Sequence, residues 1–156
     1  MSFIYNLEEV EQAKLDEVFG GGISKIEMSK KIDARGDLTV LDFNEFNAFT
    51  PQRIFWITNV PPSESRGGHA HIDCAQFFIA LKGKISIQID DGQAKGTLNL
   101  ASPDYGLLVS PLFWGDISFS ASDAVLLVLA SKNYDPNDYI HDYKTFCKIR
   151  ETAKHD

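Results

Sequence analysis

Two of the four histidines in this 156-residue chain, His69 and His71, stand one residue apart in the segment RGGHAH (Arg66–His71). Side chains alternate along an extended strand, so both imidazoles share a face and Ala70 points the other way. An imidazole titrates near pH 6.5, which suits it to taking up and returning a proton at neutral pH. If that face lines a cavity, one ring can carry the proton while the other orients it or holds a substrate oxygen. The residues alone leave open which ring does which. Gly67 and Gly68 before the pair allow a ligand, or an irregular strand entry, to come close. The competing reading is a pair of satisfied core histidines.

The elements around this segment are short apolar runs broken by turn residues. RIFWITNV (Arg53–Val60) is rich in β-branched and aromatic residues and stops at Pro61-Pro62. AQFFIAL (Ala75–Leu81) and KISIQID (Lys84–Asp90) flank Lys82-Gly83, and in the second Ile85, Ile87 and Ile89 alternate with polar residues, the period of a half-buried strand. SKIEMSKKI (Ser24–Ile32), DLTVLDF (Asp37–Phe43), GLLVSP (Gly106–Pro111), WGDISFS (Trp114–Ser120) and AVLLVLAS (Ala124–Ser131) continue the series. Only NLEEVEQAKLDEVF near the start and YIHDYKTFCKI near the end have the pattern of short helices. DPNDY (Asp135–Tyr139) reads as a turn and helix start, because Asp and Asn cap readily. Seven or more short strands separated by turns predict an all-β sandwich or barrel of the jelly-roll kind, with short peripheral helices. No linker divides the chain, so a single domain spanning residues 1–156 is expected.

Composition narrows the function. The net charge of −7 argues against nucleic acid or an anionic membrane as partner, although local arginines could still receive an anionic small molecule. Cys74 and Cys147 are the only cysteines and form no CxxC pair, so neither a disulfide framework nor a zinc knuckle is expected, and Cys74 reads as inert packing. No apolar run approaches the roughly 20 residues of a membrane span, and no secretory signal stands at the start. A cytoplasmic protein is expected.

The spacing resembles the first cupin motif, in which HxH is followed by a glutamate and then a glycine. Gly83 keeps the frame, but Gln76 stands where the carboxylate would be. PLFWGDISFS contains no histidine at the position of the second motif, and His141 and His155 lie in the polar C-terminal part, far from that register. Two imidazoles and a neutral amide make a weak metal site, since such sites add a carboxylate and a third imidazole. The expectation is a barrel without a bound metal. RGGHAH, the turn DDG (Asp90–Gly92) and the ending SASDAVLLVLASKNYDPNDYIHDY together resemble the sugar 3,4-ketoisomerases, the WxcM-like or FdtA-type proteins, over about Arg53–Tyr143. RIFWI carries Trp56 at a position where the family usually shows another aromatic residue.

That resemblance implies a cupin-like double-stranded β-helix working as a homodimer, without metal or redox cofactor, on dTDP-4-keto-6-deoxyglucose. The carbonyl would move from C4 to C3 through an enediolate. By resemblance His69 is the candidate proton shuttle and His71 the second acid–base group or oxygen anchor. Gln76, Tyr105 and Trp114 are candidate donors to the substrate, the two aromatics having core packing as their alternative role. Arg66 and Arg53 are candidates for forking onto the diphosphate, or else surface ion-pair partners. Three other readings remain to be weighed: a nucleotide-sugar epimerase on the same fold, a non-catalytic cupin that binds a nucleotide sugar, and a metal-dependent cupin oxygenase.

Overall fold

The computed structural model describes residues 2–154. Thirteen strands and two helices follow in the order β1 (Ser2–Asn6), α1 (Gln12–Phe19), β2 (Ile23–Glu27), β3 (Ser29–Asp33), β4 (Gly36–Val40), β5 (Arg53–Ile57), β6 (Ser65–His71), β7 (Gln76–Lys82), β8 (Ile85–Asp90), β9 (Lys95–Leu100), β10 (Tyr105–Val109), β11 (Trp114–Phe119), β12 (Val125–Ala130), β13 (Tyr139–Ile140) and α2 (Tyr143–Ala153). One sheet has the order β1-β9-β8-β11-β6-β13, the second β2-β10-β7-β12-β5, and β3-β4 form a separate hairpin. This is the all-β jelly roll expected from the strand series, in the cupin-like form that the resemblance implies.

The two sheets close on one apolar core. Ile85, Ile87 and Ile89 of β8, with Leu98 and Leu100 of β9, face Phe78, Leu107, Leu126 and Val128 across the interior. Strand alternation places these side chains on the inner faces, and their removal from water is the main favourable contribution to the fold. β7 is buried on both faces, because Phe77 and Ile79 on its outer side lie under Met28 and Phe46. That double burial explains why the run AQFFIAL shows no polar alternation. α1 seats Leu15 and Phe19 in the main core and ends at Gly20, which takes the left-handed conformation that glycine adopts without a steric penalty.

The strand series in the sequence differs from the structure at β1 and β9. β9 contains a buried Gly96 where an apolar side chain would complete the alternation with Leu98 and Leu100. A Cβ on Gly96 would stand 3.0 Å from the Phe19 ring, so the helix occupies the space of the missing side chain. β1 is an edge strand, paired in parallel with β9 and alternating only between exposed and half-buried. Both predicted helices begin later than their patterns: α1 starts at Gln12, and residues 139–140 pair as β13 before α2, capped by Asp142, runs on to Ala153. α2 is held to the barrel by the Tyr143 hydroxyl, which donates to Asp90 Oδ2 at 2.8 Å. That bond to the carboxylate, with burial, pushes the Tyr143 pKa up. Among the described residues no helix is long and apolar enough to cross a membrane.

Candidate active site

β6 carries the histidine pair and is irregular where it enters the site. Gly115 pairs with His69 while Asp116 pairs with Gly67, so Gly68 is an extra residue in a β-bulge. Gly67 and Gly68 have φ of +95° and +73°, and a Cβ on Gly67 would stand 2.6 Å from the Gly115 carbonyl oxygen. Glycine at Gly67 is therefore a steric requirement, and the bulge re-aims the strand beyond it. Beyond the bulge, His69 and His71 both face a cavity of about 470 Å³ between the sheets. Their ring centroids are 5.1 Å apart with planes nearly perpendicular. Phe55, Phe78, Phe113, Ile87 and Ile89 supply much of the apolar wall.

β13 completes the site from the far end of the chain. It pairs Tyr139 with His71 and Ile140 with Ala70 along the free edge of β6. The short 3-10 turn before it, capped by Asp135, places Asp138 Oδ2 2.9 Å from His71 Nδ1. The other Asp138 oxygen accepts from the Asp73 amide at 2.7 Å, which fixes the carboxylate. With a carboxylate at Nδ1, the neutral imidazole carries its proton there and presents Nε2 as a lone pair. His71 Nε2 is buried and has no hydrogen-bond partner among the described residues. The Tyr139 ring lies 4.9 Å from the His69 ring and 4.5 Å from the His71 ring, and stacks on His141.

Burial lowers the pKa of His69, and the nearby His71 lowers it further, against the opposing pull of the Gly67 carbonyl and Asp116. Burial also lowers the pKa of His71, outweighing the contribution of Asp138, which favours the protonated ring. Both rings are therefore neutral at pH 7. Activity that needs them neutral is expected to hold through neutrality and to fall along an acid limb lying below pH 6.5, as a kcat/KM profile would show. Stability shifts in the same direction. Each ring binds a proton more readily unfolded than folded, so its contribution is fully present above pH 6.5 and is lost as pH falls through the lowered folded-state value.

The remaining candidates divide by position. Gln76 at the start of β7 and the exposed Arg66 on β6 line the cavity with the two histidines. Arg53 stands on the inward parity of β5, and its guanidinium rests over the Phe55 and Tyr134 rings with Nε buried and unpartnered. Tyr105 and Trp114 do not line this cavity and take the packing role that aromatic residues of a small barrel more often have. Tyr105 packs against the main core under Lys25, and Trp114 packs on Tyr143 and Phe146 of α2. The sequence reading missed Asp138 and Tyr139, and it set His141 apart although that ring stands 5.8 Å from His69. The capping pattern DPNDY was the available signal: it marked the turn but not the strand pairing that follows. His155 lies outside the described residues. Among the described residues, His71, Cys74 and Asp138 offer one metal-ligating atom each within 4.8 Å of one another. That group takes one member of the HxH pair and is not the histidine–carboxylate set of a metal cupin.

A jelly roll whose interior cavity presents two imidazoles, one of them backed by a carboxylate, has the architecture of a cupin-type enzyme. Comparison with known proteins carries the identification further. The FdtA family, described as WxcM-like, C-terminal, matches residues 22–151, and the chain belongs to it. The TDP-4-oxo-6-deoxy-α-D-glucose-3,4-oxoisomerase of Aneurinibacillus thermoaerophilus is 37% identical over 123 residues, covering 79% of this chain and 88% of that protein. The sugar 3,4-ketoisomerase QdtA of Thermoanaerobacterium thermosaccharolyticum, solved with TDP, superposes with a TM-score of 0.81 at 30% identity over 85% of this chain and 96% of that one. A histidine-to-asparagine variant of the same enzyme was solved with TDP-4-keto-6-deoxyglucose. The WlaRB TDP-quinovose 3,4-ketoisomerase of Campylobacter jejuni gives 0.77 at 32% identity, covering 81% and 97%.

Proposed function

We propose that the chain is a sugar 3,4-ketoisomerase that moves the carbonyl of TDP-4-keto-6-deoxyglucose from C4 to C3 in the cavity of His69 and His71. The observation that carries this reading is the pair of neutral imidazoles facing one apolar-walled cavity, with a free Nε2 on His71. The family membership and the 37% identical oxoisomerase support the substrate class.

The C4 carbonyl acidifies the C3–H bond, because the electron pair left behind delocalises onto oxygen. His69 takes the C3 proton, giving an enediolate across C3 and C4, and returns a proton to C4. The hydroxyl proton on O3 must move to O4 in the same cycle, leaving C3 as the carbonyl. His71 Nε2, an acceptor fixed by Asp138, receives and passes on that proton. No atom is gained or lost. General acid–base help of this kind contributes about 10²–10⁴-fold. Positioning of the ring and donors to the enediolate oxygens supply the rest. Gln76 at the wall is such a donor, and the exposed Arg66, which forms no ion pair among the described residues, receives the diphosphate at the rim. Arg53 gives a second cation on the His71 side.

Incubating the protein with TDP-4-keto-6-deoxyglucose in deuterated water and following carbon and proton NMR tests the reading. The expected product is a TDP-3-keto-6-deoxyhexose with deuterium at C4. A 4-keto product with inverted C3 or C5 favours an epimerase, and no exchange of carbon-bound hydrogen favours a binding protein. We also infer a homodimer, supported by the exposed Ile54 and Trp56 on edge strand β5 and by Ile32 and Leu38 on the β3–β4 hairpin. A molar mass of two chains in light scattering is the expected result.

A further inference from the structure

Cys74, which also lines the cavity and which the isomerisation does not use, stands beside the His71–Asp138 pair. Cys74 is buried beside His71, and a ligand atom of each, with one from the half-buried Asp138, falls within a 4.8 Å span. A thiolate and a carboxylate bring two negative charges, which a divalent cation neutralises. Thiolate with imidazole selects a borderline-soft ion such as zinc or cadmium over magnesium or calcium. Tetrahedral ligands about 2.0–2.3 Å from zinc lie about 3.3–3.8 Å from one another, so the group must contract modestly. Only weak contacts hold the sulfur: Sγ lies 3.4 Å from the Ala75 carbonyl and 3.9 Å from the Ser131 hydroxyl. Independently, His71 Nε2 is buried and without a hydrogen-bond partner among the described residues, and the His71 ring lines the cavity.

We propose that His71, Cys74 and Asp138 form an inhibitory site for a soft divalent cation of the zinc and cadmium class, entered through the substrate cavity. On binding, the Cys74 thiol releases one proton to solvent and Asp138 exchanges its hydrogen bond for a metal bond. If the ion takes Nδ1 of His71, the imidazole proton moves to Nε2. If it takes Nε2, the lone pair there is occupied. Either way the cavity loses the basic nitrogen of His71, and no oxidation or reduction is involved. The inhibition rests on the function proposed above, whereas the binding does not.

Titration of reduced, metal-free protein with cadmium, read by its ultraviolet thiolate-to-cadmium band, tests the site directly. One ion per chain is expected, with the band kept in Cys147→Ala and lost in Cys74→Ala. Turnover is expected to fall in step with occupancy and to return on chelation. Turnover of Cys74→Ala, measured against its own metal-free rate, is expected to be insensitive to the ion. A parent protein with no stoichiometric band, or a band that follows Cys147, overturns the site. A band that follows Cys74 without loss of turnover overturns the inhibition. If no variant turns over the keto sugar, the functional reading fails and the cadmium band still decides the site.

Discussion

His69→Asn is expected to lower turnover by about 10²–10⁴-fold or more, the range lost with a general acid–base group, while thermal unfolding and TDP binding stay close to wild type. The separation between chemistry and fold follows from how the ring is held. His69 is half-buried, lines the cavity and has no carboxylate partner within ion-pair distance among the described residues, so removing it strands no buried charge there. Its aromatic neighbours, His71, Tyr139 and His141, each retain another ring contact. Asparagine keeps a polar group of similar reach but cannot titrate, so it can hold a sugar oxygen and cannot carry a proton between carbons. Calorimetry with TDP and turnover by NMR would read the two halves separately. Turnover at the wild-type rate would remove His69 as the shuttle.

The histidine pair could be read from the sequence because strand geometry has a period of two, and two residues of spacing suffice to put both rings on one face. The strands with β-branched or aromatic runs were legible for the same reason. Asp138 was not, because its role depends on a pairing across 67 residues of chain between β13 and β6. The local pattern at Asp135–Tyr139 announced a capped turn, and the turn is present. What the sequence did not encode locally is that two residues beyond it extend a sheet edge. The two aromatics away from the cavity show a limit of parity. Tyr105 shares the inward parity of Val109, yet the four residue steps from one to the other amount to about 13 Å of strand, which puts Tyr105 away from the cavity. Trp114 has the opposite parity to the inward-facing Ile117, so α2 covers it on the outside.

Asp138→Asn is expected to reduce kcat about 10²-fold or more with KM little changed, because it reverses the tautomer of His71 and leaves its position intact. In the serine-protease triad the corresponding change costs about 10⁴-fold for that reason. The Asp73 amide donates to one side-chain oxygen of Asp138, and the asparagine carbonyl can keep that bond. The amide NH2 is then turned toward His71 Nδ1, which must accept, so the imidazole proton moves to Nε2. The cavity now meets a donor where it had met a lone pair, and the hydroxyl proton of the enediolate has no acceptor. Nitrogen-15 shifts of labelled histidine would report the exchange of tautomers, an effect that loss of structure alone does not produce. The acid limb of the pH profile should also move lower, because Asp138 is the group that favours the protonated ring. If the variant keeps both wild-type turnover and the original tautomer, Asp138 is a turn residue that happens to touch the ring, and the base must be oriented by something else.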